Sequence, residues 1–551
     1  MANVTRAQGK DTAILIAGGG PVGLSLAIEL GRLGVACTLV EARDGTINQP
    51  KMNFVNVRSM EFVRRWGLTD RVREEGHPDN FRPNVIWVTS VTGHEIARLN
   101  FPPFREENTR FFSPSSDCLI SQYWFDPILL RHARTLPTVT LRHRTKLETF
   151  RETNDGIEAR ITDQVTGKSE TITAAYLVGA DGANSTVREI LGIELKGLAH
   201  MQDNWHIFLN STELIDIFES KLGNARFTHL VDPTGMWGMI TSINWRGLWR
   251  FSMQPPPKDE SERHIGELLR RAVGRDFKFE LLNASHWESR KLVADNFRKG
   301  RAFVAGDAAH QNNPTGGFGM NTGLGDAMDL AWKLTAAVQG WGGEALLDSY
   351  DAERRPISVR NVEEATRNFA LPRLYKFGPH IAEDSQIGEA DRQAFKQSLY
   401  DADIMRHHDT DGIAMGYRYD PSPVVVQDGT PAPPDEARGY TPTARPGHRA
   451  PHVWLEEGKS LVDLFGDGFV LLNFGADAGP LVRAARERGV PLRVETIENE
   501  EARALYETKL VLVRPDGHVA WRGDAAPDNS GAIIDTVRGA RVRATARVKV
   551  A

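Results

Sequence analysis

The first apolar run of the chain, AILIA at residues 13–17, stops at GGGPVG and resumes as an alanine- and leucine-rich segment from Leu24 to Leu33. A continuous apolar run too short for a helix predicts a buried strand, and the glycine cluster turns the chain into the helix that follows. VACTLV at residues 35–40 is β-branched and apolar and predicts the next strand, so these pieces form one βαβ unit of a parallel sheet. Two later runs, YLVGADGANSTVRE (176–189) and RAFVAGDAAH (301–310), end in Gly-Asp-type turns, which predicts that this sheet is revisited twice. Residues 82–104 and 205–253 instead alternate apolar, aromatic and Thr or Ser positions, the pattern of antiparallel strands in a separate sheet. A long helix is predicted from about Asn321 to Gln339, with Leu324, Met328, Ala331, Leu334 and Ala337 at helical spacing.

Eight of the 29 prolines fall within residues 421–451, which predicts an extended connection. Beyond it, SLVDLFGDGFVLLNFGADAGPLVRAARERGV and KLVLVRPDGHVAWRG read as strand, helix, strand, turn and strand of a small C-terminal α/β domain. The basic terminus RGARVRATARVKVA reads as a solvated face.

Composition narrows the classes. At 551 residues, 40% hydrophobic and 25% charged, the chain has the make-up of a multidomain globular protein. Its 67 Lys and Arg against 72 Asp and Glu are too balanced for a general polyanion surface, so no nucleic-acid partner is expected. Cys37 and Cys118 are the only cysteines and form no CxxC pair, which excludes a disulfide framework and a cysteine-rich metal site; no metal is expected, and a reducing cytoplasm fits. MANVTRAQGK lacks a signal peptide's apolar core, and no stretch of about 18 apolar residues occurs, so neither export nor a membrane span is expected.

Gly18, Gly20 and Gly23 form GxGxxG between a predicted strand and helix, and Glu41 follows at the end of the second strand. That context makes it a dinucleotide fingerprint: Gly18 permits the turn, Gly20 lets backbone approach a pyrophosphate, and Gly23 lets the helix pack on the strand. Pro21 and Val22 open the helix, whose N-terminus carries unpaired N–H groups and a partial positive charge for the phosphates. Glu41 would accept hydrogen bonds from both ribose hydroxyls and repel a 2′-phosphate, which selects FAD or NAD over NADP as the resident nucleotide. The segment Gly300 to Leu334 adds a second signature, with Asp307 at a strand end suited to a ribityl hydroxyl. Gly316, Gly317 and Gly319 then turn into the long helix, where the backbone amides of Gly319, Met320 and Asn321 are suited to negative charge at the N1/C2 edge of a reduced flavin.

These motifs closely resemble the single-component, class A FAD-dependent aromatic hydroxylases of the para-hydroxybenzoate hydroxylase and phenol hydroxylase group, which includes 3-(3-hydroxyphenyl)propionate hydroxylase-like enzymes. The resemblance rests on GGGPVG with Glu41, Ala42 and Arg43, on GADGANSTVR with Asp181, Gly182 and Arg188, and on AGDAAHQNNPTGGFGMN with Gly306, Asp307 and Pro314. It implies a Rossmann-like, glutathione-reductase-type FAD domain interleaved with a β-sheet substrate domain, followed by a thioredoxin-like α/β domain. The FAD domain is then expected in three parts (1–81, 116–200, 286–375), the substrate domain in two (82–115, 201–285), with a connector over 376–450 and the thioredoxin-like domain over 451–551. Lacking CxxC, that last domain runs no dithiol chemistry, and the resemblance gives it a structural or dimer-supporting role, so a homodimer is one arrangement it allows.

The family pattern further implies that Asp181 and Gly182 lie near the pyrophosphate and the path of the nicotinamide donor, that Gln122 and Arg58 contact the cofactor, and that Pro314 lines the space where oxygen reacts. Lys51-Met52 departs from the arginine that many relatives carry in the loop accompanying flavin movement. The implied reaction takes electrons from NADH or NADPH without a second Rossmann unit, captures O2 as a flavin C4a-hydroperoxide, and transfers one oxygen to a small phenolic or other aromatic substrate. His206, Trp237, Met239 and Arg250 are the substrate candidates, with Trp249 and Phe251 beside them, although a sheet needs such residues in its core in any case. His310 reads as a motif-stabilising histidine, and no base is nominated. The same chemistry could instead serve Baeyer-Villiger insertion, ring opening or removal of a ring substituent. A flavin-dependent halogenase is disfavoured by the absence of WxWxIP, and a non-catalytic flavin-binding regulator is the most distant reading.

Overall fold

The computed structural model describes residues 9–540 except 49–50, 104–110, 255–256, 258 and 260; most of the basic terminus, from residue 541, lies outside the described residues. The strand Thr12–Ala17 is buried along its whole length because parallel neighbours flank it, Cys37–Glu41 on one side and Ser169–Gly179 on the other. Burial on both faces is why this strand reads as an unbroken apolar run. Ala302–Val304 extends the sheet beyond Ser169–Gly179, and Val139–His143 extends it beyond Cys37–Glu41. A hairpin, Thr145–Thr153 with Gly156–Asp163, joins antiparallel to Ser169–Gly179. The helices Pro21–Arg32 and Phe318–Gln339 pack so closely that a Cβ on Gly323 would lie 2.5 Å from Val22 Cγ2.

The second sheet is built, in spatial order, from Glu95–Leu99, Val85–Val88, Phe227–Asp232, Gly235–Ser242, Leu248–Met253, Leu195–Asn210, Glu280–Ala294 and His310–Gln311. One face is closed by the helices Glu213–Lys221 and Glu262–Val273 over Trp205, Ile207, Trp249 and Phe251. Leu195–Asn210 and Glu280–Ala294 run through the boundaries expected at residues 200 and 285. The polar start of the first strand, LKGLAHMQD, is mostly exposed and carries no alternating signal, which is why its beginning was not legible. His310–Gln311 pairs with Leu292 and Val293, so the chain leaving the Gly306–Asp307 turn runs straight into this second sheet.

The expected connector over 376–450 is corrected by the structure. The helix Gln386–Asp401 packs Phe395 and Leu399 into a core with Trp87, Leu99 and Val231, covering part of the second sheet's other face. Its buried positions form only a thin stripe in a polar sequence, and the proline cluster downstream drew the boundary too early. The C-terminal domain has a four-stranded sheet, Leu492–Thr496, Phe469–Asn473, Leu510–Val513 and Val519–Gly523, with only the first pair parallel and with the helices Gly479–Glu487 and Ser530–Val537 packed together in its core, a thioredoxin-like layout. No helix among the described residues is long and apolar enough to cross a membrane.

This domain is clamped to the rest of the chain by Glu61. Its carboxylate accepts from Arg58 Nη1 at 2.7 Å and from Arg449 Nε at 3.0 Å, and it also pairs with Arg449 Nη2. Burial pushes the Glu61 carboxyl up, but Arg449 and Arg58 outweigh it and hold the group down at about 2. A carboxyl depressed on folding stabilises above its unfolded value and loses that contribution as pH falls through the folded one. The clamp is therefore expected to weaken between about pH 4.5 and 2, by on the order of 3 kcal/mol. Limited proteolysis across that range should cut the 421–451 segment first, and Glu61→Gln should show the same cleavage at neutral pH; equal resistance of both proteins throughout would refute the clamp.

Candidate functional site

Parallel pairing sets Ala17 beside Gly179, and Gly179 beside Val304, so the carboxyl ends of three strands open side by side. Each end carries one of the sequence motifs: Gly18–Gly23, Asp181–Gly182 and Gly306–Asp307. Backbone bonds lock the turns together, Gly18 N–H donating to Val40 O, Ala180 N–H to Ala17 O and Ala305 N–H to Gly179 O, all at 2.8–2.9 Å. Ligand crevices form at such carboxyl ends.

Each glycine of the first turn has a distinct constraint. Gly18 holds φ +109°, and a Cβ there would lie 2.2 Å from Ala180 O; a Cβ on Gly23 would lie 2.0 Å from Gly18 O. At Gly20 no protein atom stands within 4 Å of the Cβ position, which leaves the backbone open to a ligand. Glu41 accepts from Gly19 N–H at 2.7 Å and from Arg43 N–H at 2.8 Å, holding the strand end against the turn; Ala42 and the Arg43 side chain are exposed beside it.

Two helix N-termini face this crevice from Gly20 and Gly317. Neither has a side-chain cap and neither has an acidic residue in its first turn, so the N–H groups of both are available to an anion. Gly317 lies in the left-handed region at φ +68°, and Asn321 staples this turn to the neighbouring loop: its Nδ2 donates to Phe54 O and Gly317 O, and its Oδ1 accepts from Asn56 N–H. Gly319 and Met320 stand in that first turn, and Pro314, exposed, begins the turn through a bond from Gly317 N–H to its carbonyl. Asp181 accepts from Val187 N–H through Oδ2, while its buried Oδ1 has no partner, and burial raises its carboxyl. Two uncapped helix ends, an open Gly20 and an orphaned carboxylate oxygen fit the pyrophosphate, flavin edge and hydroxyls of FAD.

Around these groups the structure distributes supporting roles. Arg188 donates to Ala183 O and Ala308 O, tying the second motif to the third. His310 Nε2 meets Asp326 Oδ2 at 2.8 Å, and the same oxygen accepts from Gly306 N–H, so His310 braces the Gly306–Asp307 turn. Gln122 accepts from Lys51 N–H and donates to Asp126, whose carboxyl burial pushes up to about 7. Arg58 is a correction: its guanidinium is spent on Glu61, Tyr417 and Asp516 O, on the wall of a cleft of about 540 Å³ toward the C-terminal domain. Its place at the head of a helix after the second strand looks the same in sequence whether it serves a cofactor or a domain contact.

The second sheet presents two rows of paired residues on the face opposite its helices: Phe227, Thr241, Arg250 and Phe208, then His229, Met239, Ser252, His206 and Ser285. Arg250, His206 and Met239 thus share a face. All three are partly accessible, and burial lowers both the Arg250 guanidinium and the His206 imidazole. Trp249 and Phe251 point to the helix side, as strand alternation requires. Trp237 is a second correction: beyond a register shift at Leu230/Val231 its ring lies against Phe251 and 4.0 Å beneath the Arg271 guanidinium, away from Arg250. Sequence reading missed Arg226, which stacks 4.6 Å from the Phe54 ring, and Phe54 in turn touches the Gly317 turn, joining the Arg250 face to the crevice. It also missed His407 and His408, which sit in the stretch assigned to a connector.

Fold and site define an FAD enzyme whose second sheet turns a partly accessible face, carrying Arg250, His206 and Met239, away from its covering helices. The profile of the FAD binding domain family matches residues 11–365, and that of the aromatic-ring hydroxylase C-terminal domain matches residues 443–540. The chain is 32% identical to the 4-methyl-5-nitrocatechol 5-monooxygenase of a Burkholderia species, covering 97% of this chain and 98% of the relative. It is 32% identical to the tetracenomycin B2 monooxygenase-dioxygenase of Streptomyces olivaceus, over 95% and 97% of the two chains. Among solved structures, chromopyrrolic acid-soaked RebC with bound 7-carboxy-K252c superposes with a TM-score of 0.90 at 40% identity, over 96% of this chain and 99% of that one. The chain belongs to the FAD-dependent aromatic-ring hydroxylases, and it is a flavoprotein monooxygenase. NAD(P)H and O2 are the co-substrates typical of that class.

Proposed function

We propose that the chain hydroxylates a phenolic or fused-ring aromatic substrate held between that face of the second sheet and the Gly316–Met320 turn, with NADH or NADPH as electron donor. The observation that carries this reading is the continuity from Arg250 and Arg226 through Phe54 to the helix N-terminus at Gly317. Bound FAD supplies the electron transfer and oxygen activation; the protein's part is to bind, orient and dry the site. Phe227, Phe208 and Met239 give the ring a flat apolar wall. Burial holds His229 at about 3 and His407 at about 4, so both are neutral at pH 7 and can offer a ring nitrogen as hydrogen-bond acceptor to a phenol O–H. His206 Nε2 is already the acceptor of Trp287 Nε1–H at 2.8 Å and orients that indole instead.

The test is a panel of phenols, hydroxybenzoates, nitrocatechols and fused-ring phenols added to the FAD holoenzyme under ¹⁸O2. At least one should accelerate NADH or NADPH consumption tenfold or more and yield a product with a single ¹⁸O on the ring. A ring-inserted, ring-opened or substituent-loss product would move the reading to those oxidations. Uncoupled consumption across the whole panel would overturn it.

A further inference from the structure

The cleft between the helix Val57–Arg65 and the C-terminal domain holds more positive charge than its buried acids neutralise. It has a volume of about 540 Å³, and Arg32, Arg58, Arg64, Arg65, Arg449 and Arg493 stand in its wall. Two of these are paired one to one, Arg64 with Asp463 at 2.7 Å and Arg493 with Glu495 at 2.8 Å. The other four share two buried carboxylates. Arg32 and Arg65 reach the same Glu29 oxygen at 2.8 and 3.3 Å, and Arg58 and Arg449 both reach Glu61. Asp70 and Asp467, which also line the cleft, are exposed, Asp467 against Arg32, and solvent screens them. Burial lowers the Arg65 guanidinium, and Arg32 and Arg58 beside it add to that against the pull of Glu29. The buried Arg449 Nη1 and the Tyr440 hydroxyl near it both lack a hydrogen-bond partner. Charge held out of water is costly until something pairs with it, and here four guanidinium groups lean on two carboxylates.

We propose that this cleft binds a phosphate-bearing effector of nucleotide size, whose phosphates bridge the Val57–Arg65 helix and the C-terminal domain. Guanidinium forks match phosphate oxygens bidentately, and a diphosphate carries the negative charge that Glu29 and Glu61 leave unsupplied. The cleft has the volume of a small-molecule site rather than of a single ion. Phe62, Leu464 and Phe465 give it an apolar wall on which a ring can lie, and Arg58 already stacks 4.7 Å over Phe62. Arg58 and Arg65 belong to the helix, and Arg449 and Arg493 to the C-terminal domain, so a bound diphosphate draws the two together and reinforces the Glu61 clamp. The site is separate from the flavin crevice and independent of which aromatic the enzyme oxidises.

The experiment measures binding to the oxidised FAD holoenzyme, whose own pyrophosphate site is filled. It is titrated calorimetrically with inorganic pyrophosphate and with ADP, against sodium chloride at matched ionic strength, and its melting temperature is followed in the same solutions. At least one of the two should bind one to one and raise the melting temperature above the chloride control. Pyrophosphate binding as tightly as ADP would identify an inorganic effector, and tighter ADP binding a nucleotide whose ring uses the apolar wall. Arg65→Gln and the more exposed Arg493→Gln should each weaken binding about tenfold or more, with FAD content unchanged. Asp467→Ala, which frees Arg32, should tighten it, and Arg263→Gln, on an exposed helix of the second sheet, should leave it as it was. The proposal is overturned if neither compound binds beyond the chloride control, or if binding survives intact in both Arg65→Gln and Arg493→Gln.

Discussion

Gly23→Ala is expected to yield protein that purifies without flavin, with FAD affinity lowered by about 100-fold or more, roughly 2.7 kcal/mol. The new Cβ would stand 2.0 Å from Gly18 O and 3.1 Å from Gly18 C, contacts that backbone cannot relieve by rotating a side chain. Gly18 cannot retreat, because a Cβ in its own place would already lie 2.2 Å from Ala180 O and its N–H is bonded to Val40 O. The helix Pro21–Arg32 must therefore shift away from the strand turn, and its uncapped N–H groups lose their aim at the pyrophosphate. Gly20→Ala provides the contrast. No protein atom lies within 4 Å of that Cβ, so the apoprotein should keep its stability to within about 0.5 kcal/mol while FAD binding falls, because the intrusion is into ligand space alone. Absorbance ratios at 450 and 280 nm, fluorescence titration with FAD and apoprotein melts separate the two. Stoichiometric flavin in Gly23→Ala would contradict the packing argument.

What was legible in the sequence follows from where information is local. The fingerprint turn, Glu41 and the two Gly-Asp turns are short runs whose chemistry and backbone demands lie in neighbouring residues, so they could be read directly. The face carrying His206, Met239 and Arg250 was partly legible, since alternation puts Arg250 opposite Trp249 and Phe251. Trp237 follows the same parity and still turns away, because the shift at Leu230/Val231 resets the strand end, and no local pattern announces it. Arg226, His407 and His408 were not legible because they meet only in space: one precedes a strand, and the others occupy a four-residue helix inside a stretch taken as connector. Arg58 failed in the opposite sense, since a motif position looked functional and the side chain is committed to docking another domain.

The way that domain is anchored supplies the second large effect: Arg514→Met is expected to destabilise the protein by roughly 3–5 kcal/mol and to release flavin with the loss. The Arg514 guanidinium, fully buried, reaches Glu353 at 2.6 Å, Asp329 at 2.8 Å and Asp516 at 2.6 Å, while Lys333 meets Asp329 at 2.7 Å and Glu353 at 2.5 Å. Two cations thus face three carboxyls. Burial raises the Asp329 carboxyl, while Arg514 outweighs burial at Glu353 and Asp516 and holds both down, so the cluster depends on its cations. Removing Arg514 leaves Asp516 without its arginine in the interior and Lys333 as the remaining ion-pair partner of both Asp329 and Glu353. The disturbance has a path to the flavin crevice. Asp329 and Asp326 lie on the same helix, Asp326 is held by Arg354 Nε at 2.8 Å, and Asp326 in turn holds His310 and Gly306 N–H. Asp467→Ala tests an ion pair to the same domain at its exposed rim, with Arg32, and should change stability little because solvent already screens it. Melts followed by flavin fluorescence and by far-ultraviolet circular dichroism should show Arg514→Met releasing flavin well below the wild-type temperature and Asp467→Ala releasing it close to that temperature. Coincident melts for the two variants would mean that the buried cluster does not hold the domain to the FAD helix.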